Sequence, residues 1–147
     1  MKRRYQLRCD IFRIWVLISM DKKHKHANLE DRLIDFGVGI VNLGYKLQRF
    51  KELKPISEQI LRSGISPALN YGEALHAESK KDFIHKMKIV LKELHETLIS
   101  LKILNALKSN PDREEVQLLK KENSELVAIF VSSVRTAQKN SLASKNK

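Results

Sequence analysis

The stretch from Leu61 to Phe83, LRSGISPALNYGEALHAESKKDF, concentrates side chains able to do chemistry. Glu73-x-x-His76 has the i, i+3 spacing that sets a carboxylate and an imidazole on one helix face, as in carboxylate-bridged dimetal bundles. Such a centre needs two of these pairs and two further glutamates. This chain has one pair. Glu93, His95 and Glu96 are suitable ligand types, but Glu93 and His95 are two residues apart and do not share a helix face. The helices before and after offer no glutamate on their seams. The His24-Lys25-His26 run sits in a polar linker, and His85, two residues past Phe83, falls on a flank. Ser63 and Ser66 have no base and no glycine-rich turn beside them. No phosphate-cradling glycine loop occurs. We therefore expect no catalytic residue, no metal and no cofactor.

The same polar residues have a structural use. An amide such as Asn70 on a helix face that turns inward must find hydrogen bonds. Glu73 could accept them, or pair with a cation across a helix interface. Groups of this kind set register and partner choice.

The elements that must position these groups are helical. The chain has 147 residues, 42% of them hydrophobic, with only five glycines and three prolines. That suits one domain with a real core and few irregular stretches. Cys9 is the only cysteine, which excludes an internal disulfide and a thiolate metal cluster and suits a reducing compartment, the cytoplasm.

From Leu29 the apolar positions Leu33, Phe36, Ile40, Leu43, Leu47 and Phe50 follow at steps of four and three, the seam of a bundle helix about 33 Å long. Asn28 is its N-cap. Gly37, Gly39 and Gly44 interrupt it and imply either close helix contact or a local distortion. Pro55 ends this helix. A second runs from about 56 to 79, with its seam read as Leu61, Ile65, Ala68 or Leu69, Gly72 and Leu75, and a kink or looser turn expected at Pro67. The third, about 81 to 108, is capped by Ser79 and shows Phe83, Met87, Val90, Leu94, Thr97, Leu101 and Leu104. Asn110 and Pro111 introduce the fourth, about 111 to 138, with Val116, Leu119, Asn123, Leu126 and Phe130 inside. Its Val127, Ile129, Val131 and Val134 read as either a subunit interface or a wider internal face. Short connections make neighbours antiparallel, so the fold class is all-α, an antiparallel up-down-up-down four-helix bundle over 29–138.

Outside the bundle lie a basic tail, 139–147, and an N-terminal extension, 1–28. Asp10 and Arg13 break the apolar part of MKRRYQLRCDIFRIWVLISM, which is too short for a membrane span. It reads as an amphipathic anchor, as an extra packed element, or as sequence upstream of a start at Met20, the reading we favour. Starting there removes five basic residues and one acidic residue and leaves a net charge of +7 instead of +11.

The positive charge is the functional clue. Lys46, Arg49, Lys51 and Lys54 cluster at the end of the first helix, Arg62 lies in the second, and Lys80, Lys81, Lys86, Lys88 and Lys92 load the third. Arg135, Lys139, Lys145 and Lys147 end the chain. Arrayed cations bind nucleic-acid phosphates without reading sequence. Aromatic residues are few, which argues against base stacking. The competing reading is a protein-interaction or scaffold bundle whose charge keeps it in solution.

Three stretches carry a resemblance: DRLIDFGVGIVNL (31–43), ILRSGISPALNYGEA (60–74) and ESKKDFIHKMKIVLKELHET (78–97). They resemble the bacterial four-helix bundle family encoded in intervening sequences of 23S rRNA genes, also called the S23 ribosomal protein family. The resemblance implies a homo-oligomer, a pentamer, with a positively charged surface, related to the accessory protein of diversity-generating retroelements, which associates with nucleic acid and a reverse transcriptase; no enzyme activity is established for the family. With the basic residues, the expected partners are further copies of the chain and RNA, ribosomal RNA included, or a protein partner. The resemblance places the family's polar positions on Arg62, Ser63, Asn70, Glu73, Glu78, Asp82 and Glu93; with Ser66, all but Arg62 make the expected structural polar network. Pro67, Gly72 and the Leu98–Ile99 pair depart from the family pattern.

Overall fold

The computed structural model describes residues 28–143. The N-terminal extension, His24, His26 and the last four residues, with Lys145 and Lys147, lie outside that range. Four helices follow in order: α1 (Leu29–Leu47), α2 (Lys54–Leu75), α3 (Lys80–Ala106) and α4 (Arg113–Ala143), with a 3₁₀ turn at Lys51–Leu53 between α1 and α2. Each packs on its neighbour in sequence, and α1 closes more loosely on α4. The result is an antiparallel four-helix bundle.

Local chemistry sets the helix ends. The Asn28 side chain accepts the Glu30 N–H at 3.3 Å, and Ser79 accepts the Asp82 N–H at 3.1 Å. α1 stops at Leu47, five residues before the end read from the sequence, because the chain tightens into the 3₁₀ turn that buries Leu53. α2 starts ahead of Pro55, since a proline in the first turn lacks only an N–H that would have no intrahelical partner. Pro67 sits buried inside one continuous helix. At α4 the cap is Asp112 and not Asn110. The Asp112 carboxylate accepts the Glu115 N–H at 3.1 Å, while Asn110 makes a preceding turn by accepting the Asp112 N–H.

The core holds Leu33, Phe36, Ile40, Leu43 and Leu47 of α1, Met87, Val90, Leu94, Leu101 and Leu104 of α3, and Val116, Leu119, Leu126, Phe130 and Val134 of α4. Tyr71 meets Phe130 edge-on, with ring centroids 5.6 Å apart. Val134 and Val127 of α4 belong to this core or pack against it, whereas Ile129 and Val131 are half-buried. Asn123 is fully buried, and its amide has no hydrogen-bond partner among the described residues.

α2 corrects the sequence reading. Its inward face is Ser57, Ile60, Ser63, Gly64, Pro67 and Ala74, while Ile65, Leu69 and Leu75 are exposed. Two parallel stripes on this helix both have bundle spacing, and hydrophobicity alone selects the wrong one. Closeness decides instead. A Cβ on Gly64 would stand 2.5 Å from Ile40 Cγ2, and one on Gly44 would stand 2.5 Å from Leu61 Cδ2. Where α1 and α2 meet, a glycine of one helix receives a branched side chain of the other, Gly64 receiving Ile40 and Gly44 receiving Leu61.

Candidate nucleic-acid interface

The outward face of α3 follows from its inward one. Met87, Val90, Leu94, Thr97, Leu101 and Leu104 are buried. On the opposite side Lys81, His85, Lys88, Lys92, His95, Ile99 and Lys102 follow at steps of four and three, and all seven are exposed. This stripe is about 32 Å long at the rise of an α-helix. It holds four lysines and two histidines and no acid. Glu96 lies off it and accepts from Gln59 of α2 at 3.1 Å; Asp82 and Glu93 are half-buried. Lys81, Lys88 and Lys102 make no ion pair with another described residue. Lys92 approaches only Glu96, at 3.6 Å, and its side chain is 70% exposed.

Of the ten basic residues singled out in the sequence, Lys81, Lys88 and Lys92 share this stripe, and Lys80 is exposed just before it. Arg49, Lys51 and Lys54 are exposed around the α1–α2 connection, at the end of the bundle where Lys102 also lies. The other three face acids. Lys46 bridges α1 to α4, 3.0 Å from Asp112 and 2.5 Å from Glu115. Lys86 pairs with Glu73. Arg62 donates to Gln59 at 2.9 Å and lies 3.6 Å from Glu96. His85, His95 and Lys102 also belong to the stripe, although none falls in a local run of lysines and arginines. The seven-residue spacing of Lys81, Lys88, His95 and Lys102 is the sequence signal that finds the face.

Burial shapes the Lys46 group electrostatically. It opposes charge on the Lys46 ammonium, but hydrogen bonds to Glu115 and Asp112 outweigh it and hold the ammonium pKa up. It pushes the Glu115 carboxyl up, with Lys46 opposing. For Asp112 burial is outweighed by the Glu115 N–H and Lys46, which hold its carboxyl down. This trio is a structural tie between the end of α1 and the start of α4.

The polar residues of α2 and α3 do not converge on one point. Ser63 and Thr97 share a buried hydrogen bond of 2.9 Å, and Thr97 lies 2.9 Å from the Glu93 carbonyl as well. Asn70 donates to the Ser66 hydroxyl and carbonyl at 3.0 Å. Asp82 serves the Ser79 cap through its N–H, and Glu78 is exposed. His76 Nδ1 lies 3.0 Å from the Gly72 carbonyl, where a protonated Nδ1 donates, while Glu73 goes to Lys86. Among the described residues no three His, Cys, Asp or Glu side chains are placed to hold a metal ion. Nor is any described helix long and apolar enough to cross a membrane.

A family model, the 23S rRNA-intervening sequence protein, matches residues 28–132, which spans α1 to α3 and most of α4. The chain belongs to this family. A crystal structure of a family relative, a protein with unknown function from the S23 ribosomal protein family of Bacteroides thetaiotaomicron VPI-5482, is 34% identical with a TM-score of 0.67. The match covers 73% of this chain and 98% of that one. No curated protein matches.

Proposed function

We propose that this member of the family is a self-associating basic bundle that binds RNA by phosphate contacts along the outer face of α3. The observation that carries the reading is the acid-free stripe Lys81, His85, Lys88, Lys92, His95, Ile99, Lys102. Cations at helical spacing along one straight face suit a phosphate backbone and read no sequence. The stripe has no Phe, Tyr or Trp, and its two imidazoles are the only rings on it. The family name points to structured RNA, ribosomal RNA included, as the first ligand to test. Self-association repeats the stripe once per copy, and five copies is the number the resemblance implies. The cytoplasm, where such RNA resides, is the proposed compartment.

The test is fluorescence anisotropy with a labelled RNA hairpin at about 0.1 M salt. Replacing Lys81, Lys88, Lys92 and Lys102 by Gln removes up to four phosphate contacts and is expected to weaken binding tenfold or more, equally for unrelated hairpin sequences. Unchanged affinity in a variant of unchanged mass and helicity overturns the assignment and favours a protein-interaction role.

A further inference from the structure

Phe50 closes the apolar spacing of α1 in the sequence, yet it stands 37% exposed. α1 stops at Leu47, and Phe50 enters the α1–α2 connection with an extended backbone. That backbone is tied on both sides. The Phe50 N–H donates to the Leu47 carbonyl at 3.0 Å, and the Phe50 carbonyl accepts the Leu53 N–H at 3.0 Å. Leu53 takes the buried place in this connection. The Phe50 ring is therefore held at the surface by a hydrogen-bonded turn.

Cations surround it. Arg49 and Lys51 are its neighbours in sequence, and Lys54 starts α2; all three are exposed. No ion pair joins them to another described residue. Glu52 is the one exposed acid between Gln48 and Lys54. The α3–α4 connection lies at the same end of the bundle and adds an exposed Lys108. This end continues the lysine stripe of α3. α2 and α3 are antiparallel, and their contacts join Gln59 to Glu96 and Ser63 to Thr97. Counting back to Lys54 from each contact, and forward by the same number in α3, sets Lys54 level with residues 101–106. Lys102, the last cation of the stripe, lies in that turn.

A surface ring among cations suits an unpaired base, which stacks on the ring while the cations hold the phosphates on either side of it. A base inside a duplex is covered by its neighbours and does not reach the ring. The α3 stripe is the complementary half. It is a straight row of cations without Phe, Tyr or Trp, and it suits the backbone of a paired stem.

We infer that the RNA taken by this bundle is a stem interrupted by unpaired nucleotides, with one unpaired base stacked on Phe50. Arg49, Lys51 and Lys54 hold the phosphates that flank this base, and the paired stem lies along α3. The inference deepens the proposed function and rests on it for the stem. Stacking accepts any base, so the site selects the shape of an RNA and not its sequence.

The test uses the full chain and two labelled RNAs that share one stem. One is fully paired, and the other carries a bulged 5-iodouridine. The parent protein is expected to bind the bulged RNA about tenfold more tightly, and near-ultraviolet light is expected to crosslink the iodouridine to Phe50. Phe50→Ala is expected to remove the preference and leave affinity for the paired stem unchanged, while Phe50→Trp keeps the preference. Melting curves followed by circular dichroism establish that each variant is folded. Equal binding of both RNAs by the parent, a crosslink that maps only elsewhere, or a folded Phe50→Ala protein that keeps the preference overturns the Phe50 site. If the stem still binds through the α3 lysines in those cases, the proposed function stands. A crosslink at Phe50 and a stem affinity that both survive replacement of the four α3 lysines by Gln overturn the α3 assignment and leave the Phe50 site standing. Binding of neither RNA overturns both.

Discussion

Leu61 of α2 fills the space in which Gly44 of α1 would carry a side chain: a Cβ on Gly44 would stand 2.5 Å from both Cγ and Cδ2 of Leu61. Because Cγ is involved, turning the end of the leucine does not relieve the clash. Gly44→Ala gains about 1 kcal/mol of helix propensity and loses about 1–3 kcal/mol to overpacking. The expected outcome in urea denaturation is a net loss of stability. Gly72→Ala is the control. Its Cβ meets nothing nearer than Glu30 Oε1 at 3.9 Å, so the helix gains up to about 1 kcal/mol.

The buried Ser63–Thr97 hydrogen bond ties α2 to α3. Thr97→Val leaves the Ser63 hydroxyl without this partner at full burial. A loss of about 1–3 kcal/mol is expected, and Ser63→Ala combined with Thr97→Val recovers part of it. A double-mutant cycle measures the coupling; additive single losses would mean the bond contributes nothing.

Asp112 caps α4 and holds Lys46. Its carboxyl pKa is depressed in the folded chain, because the Glu115 N–H and Lys46 outweigh burial. A depressed carboxyl stabilises the fold above its unfolded pKa, and that contribution disappears as pH falls through the folded value. Asp112→Asn keeps a capping oxygen and loses the charge. Near neutral pH it is expected to cost about 1 kcal/mol, a gap that closes below pH of about 3.8. Glu115 works the other way: burial raises its carboxyl, so its ionisation costs stability as pH rises. Melting curves of parent and variant from neutral to acid pH check both signs; a gap that widens in acid contradicts the assignment.

Much of this fold is legible in the sequence. The steps of four and three in α1, α3 and α4, the Ser79 cap and the breaks near Pro55 and Pro111 give four helices in antiparallel order. α2 is where the reading fails, and the reason is physical. Its buried face includes Ser57 and Gly64 against α1, Ser63 against Thr97 of α3, and Pro67, while Ile65 and Leu69 point out. Hydrophobicity cannot reveal a face chosen for smallness. The cations are visible as types, but their pairing is not. Lys46 lies only three residues from Arg49, yet it is tied to Asp112 and Glu115, acids more than sixty residues away. The α3 stripe is partly visible through Lys81, Lys88 and Lys92; Lys102 joins it through helical phase and not through local clustering.

Phosphate binding by α3 is tested most directly by the salt dependence of RNA affinity. Affinity of the full chain for a labelled hairpin, measured from about 50 to 200 mM salt, should fall linearly on logarithmic axes. The slope should become shallower by about one for each α3 lysine in phosphate contact that is replaced by Gln. Binding that ignores salt, a slope untouched by those replacements, or no binding at the low end of the range would contradict a phosphate-reading surface on α3.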